Sequence, residues 1–538
     1  MKTANNKISR TQIFLFAVLL VAGFTAACGG GPNIGATVPV NGMYSTASLR
    51  GSYAFSMSGE DGDGNPIYRI GSFQADGSGN ISAGIEDVND AGTVGDFVFT
   101  PAPSSVYTMS ANGKGVLTLV HPDVNSPTGS DTFTFTIALT STSGGLMIET
   151  DGSSTMSGNF QLQSITSNYA LSYAFDTSGV DLTLGTAESL IGNITVSGNV
   201  ISGGNLDIND DLTPSGQQTI SPGSIIPDPT YGAQFGRGQM LLNTTINGQI
   251  FNLSFEFYVV DANSLIFVET DSNNATVGTA IAQTVVPTSV GQLTSTYVLA
   301  VGGGAFNSGN FGPITRAAVV TPNGSGSLTG VALDQNFSGG PGVFPGTGSS
   351  ITTTSYTIDP AGSGRGTLNF TDSQSGYQFI YIFYLASASQ GYIQDNSVNV
   401  TADGSLNAQN ASLTSSSVAG NYAFNFSGAN ANGAGGNEED FVGVFTIPSG
   451  GGAFTNGDVD FAELGVGKIY LDVAFNGTLT IDGTGNSGGT AGNTFQIITE
   501  QTVQSTYNFR AYAISNSSFI IAGIDNGHVV IGPLTLQQ

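Results

Sequence analysis

The sequence predicts an all-β protein built from four tandem copies of one antiparallel unit. Short runs of apolar residues alternate with small polar residues, which is the period of two expected for a half-buried strand. Glycine-rich turns separate these runs, and 77 of the 538 residues are glycine. No segment after residue 28 has an apolar period near 3.6 residues, so we expect little helix.

The first copy shows the alternation most clearly. Tyr53, Phe55 and Met57 share one face of the predicted opening strand, and the run from Phe133 to Leu139 alternates with threonine and alanine. About eight such strands fit in one copy. An eight-stranded antiparallel meander closes into a small barrel of the lipocalin-like or avidin-like kind, which leaves no sheet edge. We favour this barrel over a two-sheet β-sandwich, the alternative that the pattern leaves open.

A fourfold repeat of landmark residues organises the chain. Each copy opens on a strand with a tyrosine, reaches an aspartate after a glycine-rich turn, passes a second glycine turn and closes on a glutamine. This order predicts duplication of one domain, with β units at 48–163, 164–290, 291–415 and 416–538. The opening tyrosines are Tyr53, Tyr169, Tyr297 and Tyr422, the aspartates are Asp87, Asp207, Asp334 and Asp460, the later aspartates are Asp151, Asp271, Asp395 and Asp525, and the closing glutamines are Gln163, Gln283, Gln409 and Gln537. The second turn reads Gly-Lys-Gly at 113–115 and Gly-Arg-Gly at 236–238 and 364–366, which we interpret as hairpin turns.

The N-terminus carries an export signal. Lys2, Lys7 and Arg10 precede an apolar run over residues 13–27, which is shorter than the roughly 20 residues that a transmembrane helix needs. Cys28, the only cysteine, follows directly. Residues 1–28 resemble a bacterial lipoprotein signal peptide, and the resemblance implies that Cys28 is acylated and anchors the chain in the membrane. Residues 29–47 then form a flexible tether. We expect the cell envelope, at the outer membrane or cell surface, with secretion of a free protein as the alternative.

The opening strand and its following turn carry a second resemblance. The Gly-x-Tyr-x-Phe pattern at 51–55 and the Asp-Gly-x-Gly turn at 76–79 are similar to those of repetitive surface lipoproteins from environmental bacteria. The resemblance implies no particular activity.

Charge and composition exclude several functions. The net charge of −27 repels phosphate backbones, so we expect no nucleic-acid partner. The two histidines, His121 and His528, lie in different copies, so the copies share no catalytic base, and a zinc site of His and Cys lacks its ligands. We therefore expect a non-enzymatic protein with no catalytic residue and no resident cofactor.

Clustered oxygen ligands make calcium the metal that the sequence indicates best. Calcium prefers carboxylate and amide oxygens, and the first copy offers two groups of them. The candidate ligands are Asp61, Asp63, Asn65, Asp87, Asn89 and Asp90. The plainer interpretation is that Asp and Asn side chains stabilise turns here.

Display or adhesion is the function that the repeat favours. Linked modules multiply weak contacts through their effective concentration, and the expected partner is a surface protein or glycan. The alternatives are a calcium-dependent binding module and a carrier that holds small apolar ligands inside its barrels. The candidate cavity residues for the carrier are Tyr53, Phe55, Tyr169, Tyr173, Tyr422 and Phe424. The third copy has Leu299 at the opening phenylalanine position and glycine at 302–304, so we expect a weaker first strand there and the loss of any site.

Overall fold

The computed structural model describes residues 43–538 apart from 124–125, 127, 247, 308–309, 347, 411–416, 432–436, 451, 465–467, 481–493 and 500–504. The predicted signal peptide with Cys28, and the tether as far as residue 42, lie outside the described residues. The end of the predicted flexible tether is ordered instead, because Tyr44 is buried in the core of the first barrel and its hydroxyl donates to the Gln538 carbonyl at 3.0 Å. Strands dominate the described residues. The only helical elements among them are one four-residue α-helix and two single turns of 3-10 helix, at Thr46–Ser48 and Val290–Gln292. None of the described helices is long and apolar enough to cross a membrane.

The first unit is a nine-stranded antiparallel sheet. Its strands are β1 (Arg50–Asp61), β2 (Pro66–Asp76), β3 (Ile81–Asp90), β4 (Thr93–Val98), β5 (Val106–Met109), β6 (Lys114–Pro122), β7 (Ser130–Ser141), β8 (Gly144–Glu149) and β9 (Ser154–Leu162). Strand β1 pairs with both β2 and β9, so the sheet curls around its own core, and β4 and β5 are left as its two edges.

The second unit is a closed eight-stranded barrel. Its strands are β10 (Ser172–Asp181), β11 (Thr186–Ser197), β12 (Val200–Asp210), β13 (Thr213–Pro227), β14 (Arg237–Ile246), β15 (Gln249–Asp261), β16 (Ser264–Glu269) and β17 (Asn274–Ala282), with the helix α1 (Gly232–Phe235) before β14.

The third unit repeats the nine-stranded sheet and the fourth repeats the closed barrel. The third contains β18 (Tyr297–Asn307), β19 (Asn310–Pro322), β20 (Leu328–Phe337), β21 (Gly340–Phe344), β22 (Ile351–Ile358), β23 (Arg365–Asp372), β24 (Gln378–Ser387), β25 (Gln390–Asp395) and β26 (Val400–Ala408). The fourth contains β27 (Gly420–Asn430), β28 (Asn437–Ile447), β29 (Gly452–Glu463), β30 (Lys468–Thr480), β31 (Thr494–Thr499), β32 (Thr506–Ser515), β33 (Ser518–Gly523) and β34 (His528–Leu536). The predicted all-β class with repeated small antiparallel barrels is thus confirmed. Only the second and fourth units close completely, whereas the first and third are nine-stranded sheets that keep two edges each.

Proline explains why two of the barrels have a seam. Pro101 and Pro103 lie between the edge strands β4 and β5, and Pro345 follows the edge strand β21. Proline has no N–H to donate to a neighbouring strand, so the ladder stops there. In the second barrel Pro222 lies inside β13, where the pairing register shifts. That irregularity accommodates the proline and leaves the barrel closed.

The alternating apolar residues fill the barrel interiors, as the sequence predicts. In the first barrel Tyr53 stacks on Phe73 with ring centroids 5.5 Å apart and meets Phe160 edge-on at 5.7 Å. In the fourth, Tyr422 stacks on Phe445 at 5.6 Å. Such pairs stabilise a core beyond the burial of their area.

Two of the sequence landmarks are out of register with the structure. The second barrel opens on Tyr173, whose hydroxyl donates to the Ala262 carbonyl at 2.8 Å, as Tyr53 donates to Thr142 at 2.9 Å. Tyr169 precedes the strand and packs edge-on against Phe257. The expectation that Tyr169 opens the second copy is therefore wrong by four residues. A Tyr-Ala pair occurs at 169–170 and again at 173–174, so the sequence pattern alone does not distinguish the two positions.

The third barrel contains the other displaced landmark. Asp395 pairs with Tyr381 in the register that joins Glu149 to Phe135. Asp395 therefore occupies the position of Glu149, and Ser397 occupies that of Asp151. Consistent with this, Asp151 accepts the backbone N–H of Thr134, and Ser397 accepts that of Ile380.

The glycines at 302–304 do not shorten the first strand of the third unit. Strand β18 spans eleven residues and pairs along its length with β19 and β26. Strand pairing on both sides compensates for the missing side chains. The expected weakening of this strand is not seen in its length or pairing.

The four barrels close into a ring. The outer face of β1–β3 packs against the outer face of the last strands of the second barrel, with Ile70 and Ile85 against Ile266 and Val268. The same faces meet between the second and third barrels and between the third and fourth. The fourth barrel then returns to the first. The contact residues of this last interface are Val442 and Val444 from the fourth barrel and Leu146 and Ile148 from the first. Each interface joins the first strands of one barrel to the last strands of another, which is a head-to-tail arrangement. Four such interfaces close the ring.

Candidate functional site

The recurring aspartates lie at the junctions between barrels. Asp87 accepts both Nε and Nη2 of Arg237 from the second barrel, at 2.8 and 2.7 Å. The hydroxyl of Tyr258 donates to the same carboxylate at 2.7 Å. Asp87 and Tyr258 are both buried. The two-pronged guanidinium contact and the hydroxyl together satisfy a charge that is otherwise costly to bury.

The second junction repeats this arrangement almost atom for atom. Arg365 donates through Nε and Nη2 to Asp207 at 2.7 and 2.8 Å, and the Tyr384 hydroxyl donates at 2.7 Å. Both arginines belong to the Gly-Arg-Gly turns that the sequence marks as hairpins. Arg237 and Arg365 are the first residues of β14 and β23, and each binds the aspartate of the preceding copy. Before β14 the connection is not a tight hairpin, because Gly236 ends the helix α1.

The third junction keeps the aspartate and the tyrosine but takes its cation from another strand. Asp334 accepts the hydroxyl of Tyr512, and Nε of Arg510 lies 3.6 Å from its carboxylate. In the fourth copy the sequence has only the weaker glycine pair Gly488-Gly489 at the place of the second turn, and this pair lies outside the described residues. Arg510 lies on β32, two residues before Tyr512.

The fourth junction, which closes the ring, uses a lysine. The ammonium of Lys114 contacts Asp460, and also Asp458 at 2.6 Å and Asp472 at 2.9 Å. Thr136 donates to the other oxygen of Asp460 at 2.6 Å. Among the described residues these three aspartates form the acidic group close enough to hold a metal ion, and the Lys114 ammonium already supplies a cation there.

The closing glutamines and a set of asparagines complete each junction. Gln163 donates from Nε2 to the carbonyls of Phe235 and Val259 at 2.8 and 2.7 Å, and Asn89 donates from Nδ2 to the carbonyl of Glu269 at 2.7 Å. Equivalent bonds to the next barrel come from Gln283, Gln409, Gln537, Asn209 and Asn336. These side chains satisfy backbone carbonyls that the packed interfaces would otherwise leave without a donor.

Sequence reasoning found most of the junction residues and missed the tyrosines. Tyr258, Tyr384 and Tyr512 each lie three residues after an aromatic in the run before the later aspartate. That spacing recurs in three copies and is the signal that would have identified them.

Buried carboxylates occupy the centre of the ring. The central acids, Glu60, Asp403, Glu438 and Asp440, come from the first, third and fourth barrels and are at most 4% exposed. Burial raises the pKa of the Tyr68 hydroxyl, and the neighbouring carboxylates of Glu438, Glu60, Asp403 and Glu188 raise it further. Oδ2 of Asp403, Oε2 of Glu438 and Oδ2 of Asp440 have no hydrogen-bond partner among the described residues.

Burial disfavours the ionised form of the central acids. Burial raises the pKa of Glu60 to about 8. It also raises the pKa values of Asp403, Glu438 and Asp440 well above the ordinary range of a carboxyl. Neutral carboxyl groups are far cheaper to bury than ionised ones.

The predicted calcium ligands divide into two places. Asp61 accepts the backbone N–H groups of Asp63 and Asn65 at 2.8 Å each, which caps the hairpin between β1 and β2, and the carboxyl of Asp90 lies beside it. Asp87 and Asn89 face the second barrel with the partners given above. The six residues therefore do not form one group of ligands.

The predicted cavity aromatics lie in packed barrel interiors. Tyr53, Phe55, Tyr173, Tyr422 and Phe424 are each at most 1% exposed. The rings of Tyr53, Phe55, Tyr422 and Phe424 contact neighbouring aromatics, and Tyr173 belongs to the apolar core of the second barrel. Tyr169 lies half-buried outside its strand. A cavity of about 520 Å³ lies elsewhere, in the third barrel.

Glu149 and His121 of the first barrel also have structural partners. Glu149 is buried, which raises its pKa to about 7, and it accepts the hydroxyl of Ser153 at 2.7 Å. His121 stacks on Phe97 with ring centroids 4.2 Å apart.

Comparison with known proteins finds likeness only among solved structures. A point mutant of the vaccine antigen Transferrin Binding Protein B (TbpB) from Haemophilus parasuis Hp5 is 12% identical, with a TM-score of 0.17 over 73% of this chain and 81% of that one. Intact Ap-TbpB, with its N and C lobes, is 12% identical, with a TM-score of 0.16 over 74% of this chain and 84% of that one. At such TM-scores the likeness carries no conclusion about this chain. No family model and no curated protein matches.

Proposed function

We propose that the chain is a non-enzymatic envelope protein that is anchored through acyl chains on Cys28 and presents a rigid ring of four β-barrels to a surface partner. One observation carries the proposal. The recurring aspartates, from Asp87 to Asp460, and the closing glutamines, from Gln163 to Gln537, bind one barrel to the next, while the tyrosines that open the barrels are buried in the barrel interiors. A repeated catalytic or ligand site would require recurring residues that face an open cleft.

The ring changes how display would work. Barrels on flexible linkers gain avidity only to the extent that their linkers allow simultaneous contact. A closed ring holds the outer loops of all four barrels at fixed spacing. Binding to a partner with matching spacing therefore loses less conformational entropy. The partner class remains a surface protein or a glycan.

Metabolic labelling tests the anchor. Cells fed an alkyne analogue of palmitate should incorporate label into the full chain, and Cys28→Ala should abolish the label and release the protein from the membrane fraction. Ser45→Ala, in the described tether, is the matched control and should leave both unchanged. Label that persists in Cys28→Ala would refute the anchor.

Protease treatment of intact cells tests display. The outer loops should be cleaved in intact cells when the chain faces outward, and cleavage sites should map to loops of more than one barrel. Complete protection in intact cells, with cleavage only after the outer membrane is opened, would overturn surface display and place the ring in the periplasm.

A further inference from the structure

The third barrel contains a cavity that the other observations leave without a role. Its volume is about 520 Å³, inside the range of about 300–1,000 Å³ that small-molecule sites occupy. It lies at the end of the barrel where β18 turns into β19, beside the seam left by the edge strand β21. Its apolar walls include Ile314, Phe337, Phe344 and Val400, and Arg316 lines it as well.

Arg316 gives the cavity a polar anchor. Its side chain is only 3% exposed, and it forms an ion pair with Asp395, which is fully buried. Nε donates to Gln335 at 2.8 Å, Nη1 to Asp395 and Ser397, and Nη2 to the Tyr377 hydroxyl at 3.1 Å. A guanidinium has five N–H groups, and the acceptors named above take four of them. The buried Tyr381 hydroxyl lies beside the guanidinium as well, and it shares the fifth N–H with any acceptor that enters the cavity.

The first barrel has the same arginine without the open space. Arg69 occupies the position of Arg316 on its strand and pairs with Glu86 at 3.2 Å. Its guanidinium carbon lies 3.9 Å from the ring centre of Phe133, and His121 fills the neighbouring space between Phe97 and Phe133. In the third barrel the nearest rings, Tyr377 and Phe379, lie 5.3 and 5.0 Å from Arg316. The aromatic cover is therefore looser in the third barrel.

The mouth of the cavity is apolar. Phe306 and Val398 line it and are 41% and 71% exposed, which is unusual for large apolar side chains when they occur together at one opening. An apolar molecule entering here would bury both side chains.

The charge balance selects an uncharged ligand. Asp395 neutralises Arg316, so a carboxylate entering the cavity would add an unpaired charge to a buried site next to another carboxylate. The net charge of −27 also disfavours the approach of anions. A carbonyl oxygen satisfies the fifth N–H of Arg316 without that cost.

We infer that the third barrel binds an uncharged, largely apolar small molecule that carries one hydrogen-bond acceptor, with the acceptor on Arg316 and the apolar body between Ile314, Phe337 and Phe344. This is a site on a single barrel, and it is independent of whether the ring serves in display. It also reverses the expectation that the third copy is the one that lost a site.

Photolabelling with benzophenone tests the inference. Benzophenone is neutral and aromatic, has one carbonyl acceptor, and on illumination bonds to nearby C–H groups. With the full chain, mass spectrometry should locate the label on residues that line the cavity, such as Val398 and Val400. Label spread over all four barrels, or no label at the cavity, would overturn the inference.

Matched variants and competitors sharpen the test. Ile314→Phe fills the cavity and should lower labelling there about tenfold, whereas Ile67→Phe, the equivalent change in the first barrel, should leave it unchanged. Ala305→Leu fills the cavity from another strand and serves if Ile314→Phe does not fold. Acetophenone should compete and benzoate, of nearly the same shape, should not. Labelling that survives both filling variants, or equal competition by benzoate, would contradict the inference.

Discussion

The junction that closes the ring differs from those that connect consecutive barrels. Between the first and second barrels Arg237 donates two N–H groups to Asp87, and the Tyr258 hydroxyl donates a third hydrogen bond to the same carboxylate. At the closing junction one lysine faces three aspartates, and the hydroxyl comes from Thr136. The position of Tyr258 is taken there by Ala138.

This difference shows which part of the junction is essential. Each junction needs a buried aspartate neutralised by a cation of the next barrel, and the cation's identity and strand vary. A lysine is a compact point charge that three carboxylates can share, whereas an arginine fixes one carboxylate by its planar fork. The closing junction therefore depends more on charge balance, and the consecutive junctions depend more on geometry.

Loss of the closing cation should have the largest effect. Lys114→Ala leaves Asp458, Asp460 and Asp472 facing one another, and breaking a buried pair in this way costs about 3–5 kcal/mol. The free energy of unfolding, measured by urea denaturation, should fall by that amount. Lys114→Arg is the control and should retain most of the stability. A loss below about 1 kcal/mol, the value of an exposed pair, would show that the junction is not buried in solution.

Removal of a junction hydroxyl should have a smaller effect. Tyr258→Phe takes away one hydrogen bond to the buried Asp87 carboxylate, which is worth about 1.5–3 kcal/mol. Tyr231→Phe is the control in the same barrel, because its ring packs on Phe235 while its hydroxyl has no described partner. Equal stability of the two variants would remove Tyr258 from the junction.

The pH dependence of the free energy of unfolding should report on the central acids. Glu60 has a pKa of about 8 in the folded protein and an ordinary value of 4.5, so between these values the unfolded chain binds fewer protons than the folded one. Stability should therefore fall as pH rises from 4.5 to 8, by on the order of 1 kcal/mol per pH unit.

The titration of His528 also lowers the stability of the fold as pH rises. Burial opposes its charge, but Glu439 outweighs burial and raises its pKa above 6.5, so its contribution is present below 6.5 and is lost as pH rises through the higher value. Glu60→Gln should flatten the decline of stability measured from pH 5 to 8. Stability that rises over this range would contradict the raised pKa values.

Calcium should partly restore the stability of Lys114→Ala, and this is the smallest effect that we expect. In Lys114→Ala the three aspartates present oxygens within 4.8 Å of one another, which suits a calcium ion. Calcium in excess should restore part of the melting temperature lost in this variant, following ordinary ligand linkage. The natural protein, in which Lys114 supplies the cation, should show no comparable shift.

The sequence predicted the fold well because the fold rests on local patterns. Alternation along Tyr53–Met57 and glycine at turns specify strands, and their number specifies a barrel. The arginine turns and aspartates were recognised as recurring, but their roles were not, since Arg237 meets Asp87 across 150 residues. No local pattern reports such a pairing. Asp395 was matched to the wrong position because only the strand register distinguishes it from Ser397.

The cavity was beyond sequence reasoning for a related reason. Arg69 and Arg316 occupy equivalent positions, and only the rings around them differ. Phe133 covers Arg69 at 3.9 Å, whereas Tyr377 lies 5.3 Å from Arg316. Which of the two arrangements forms depends on side chains from several strands. Leu299 and the glycines at 302–304 predicted a lost site, although they lie in a strand that pairs fully.

Cross-linking of the last residue of the chain to the first barrel tests the ring most directly. The backbone N–H of Gln538 donates to the carbonyl of Thr140 at 2.8 Å, so the fourth barrel ends against the first. In a chain with Cys28→Ala, cysteines introduced by Thr140→Cys and Gln538→Cys should be joined by a short thiol cross-linker within one molecule, at low protein concentration and with no dimer. Cross-links that appear only between molecules, or none in the folded protein, would contradict a closed ring and leave four barrels in an open row.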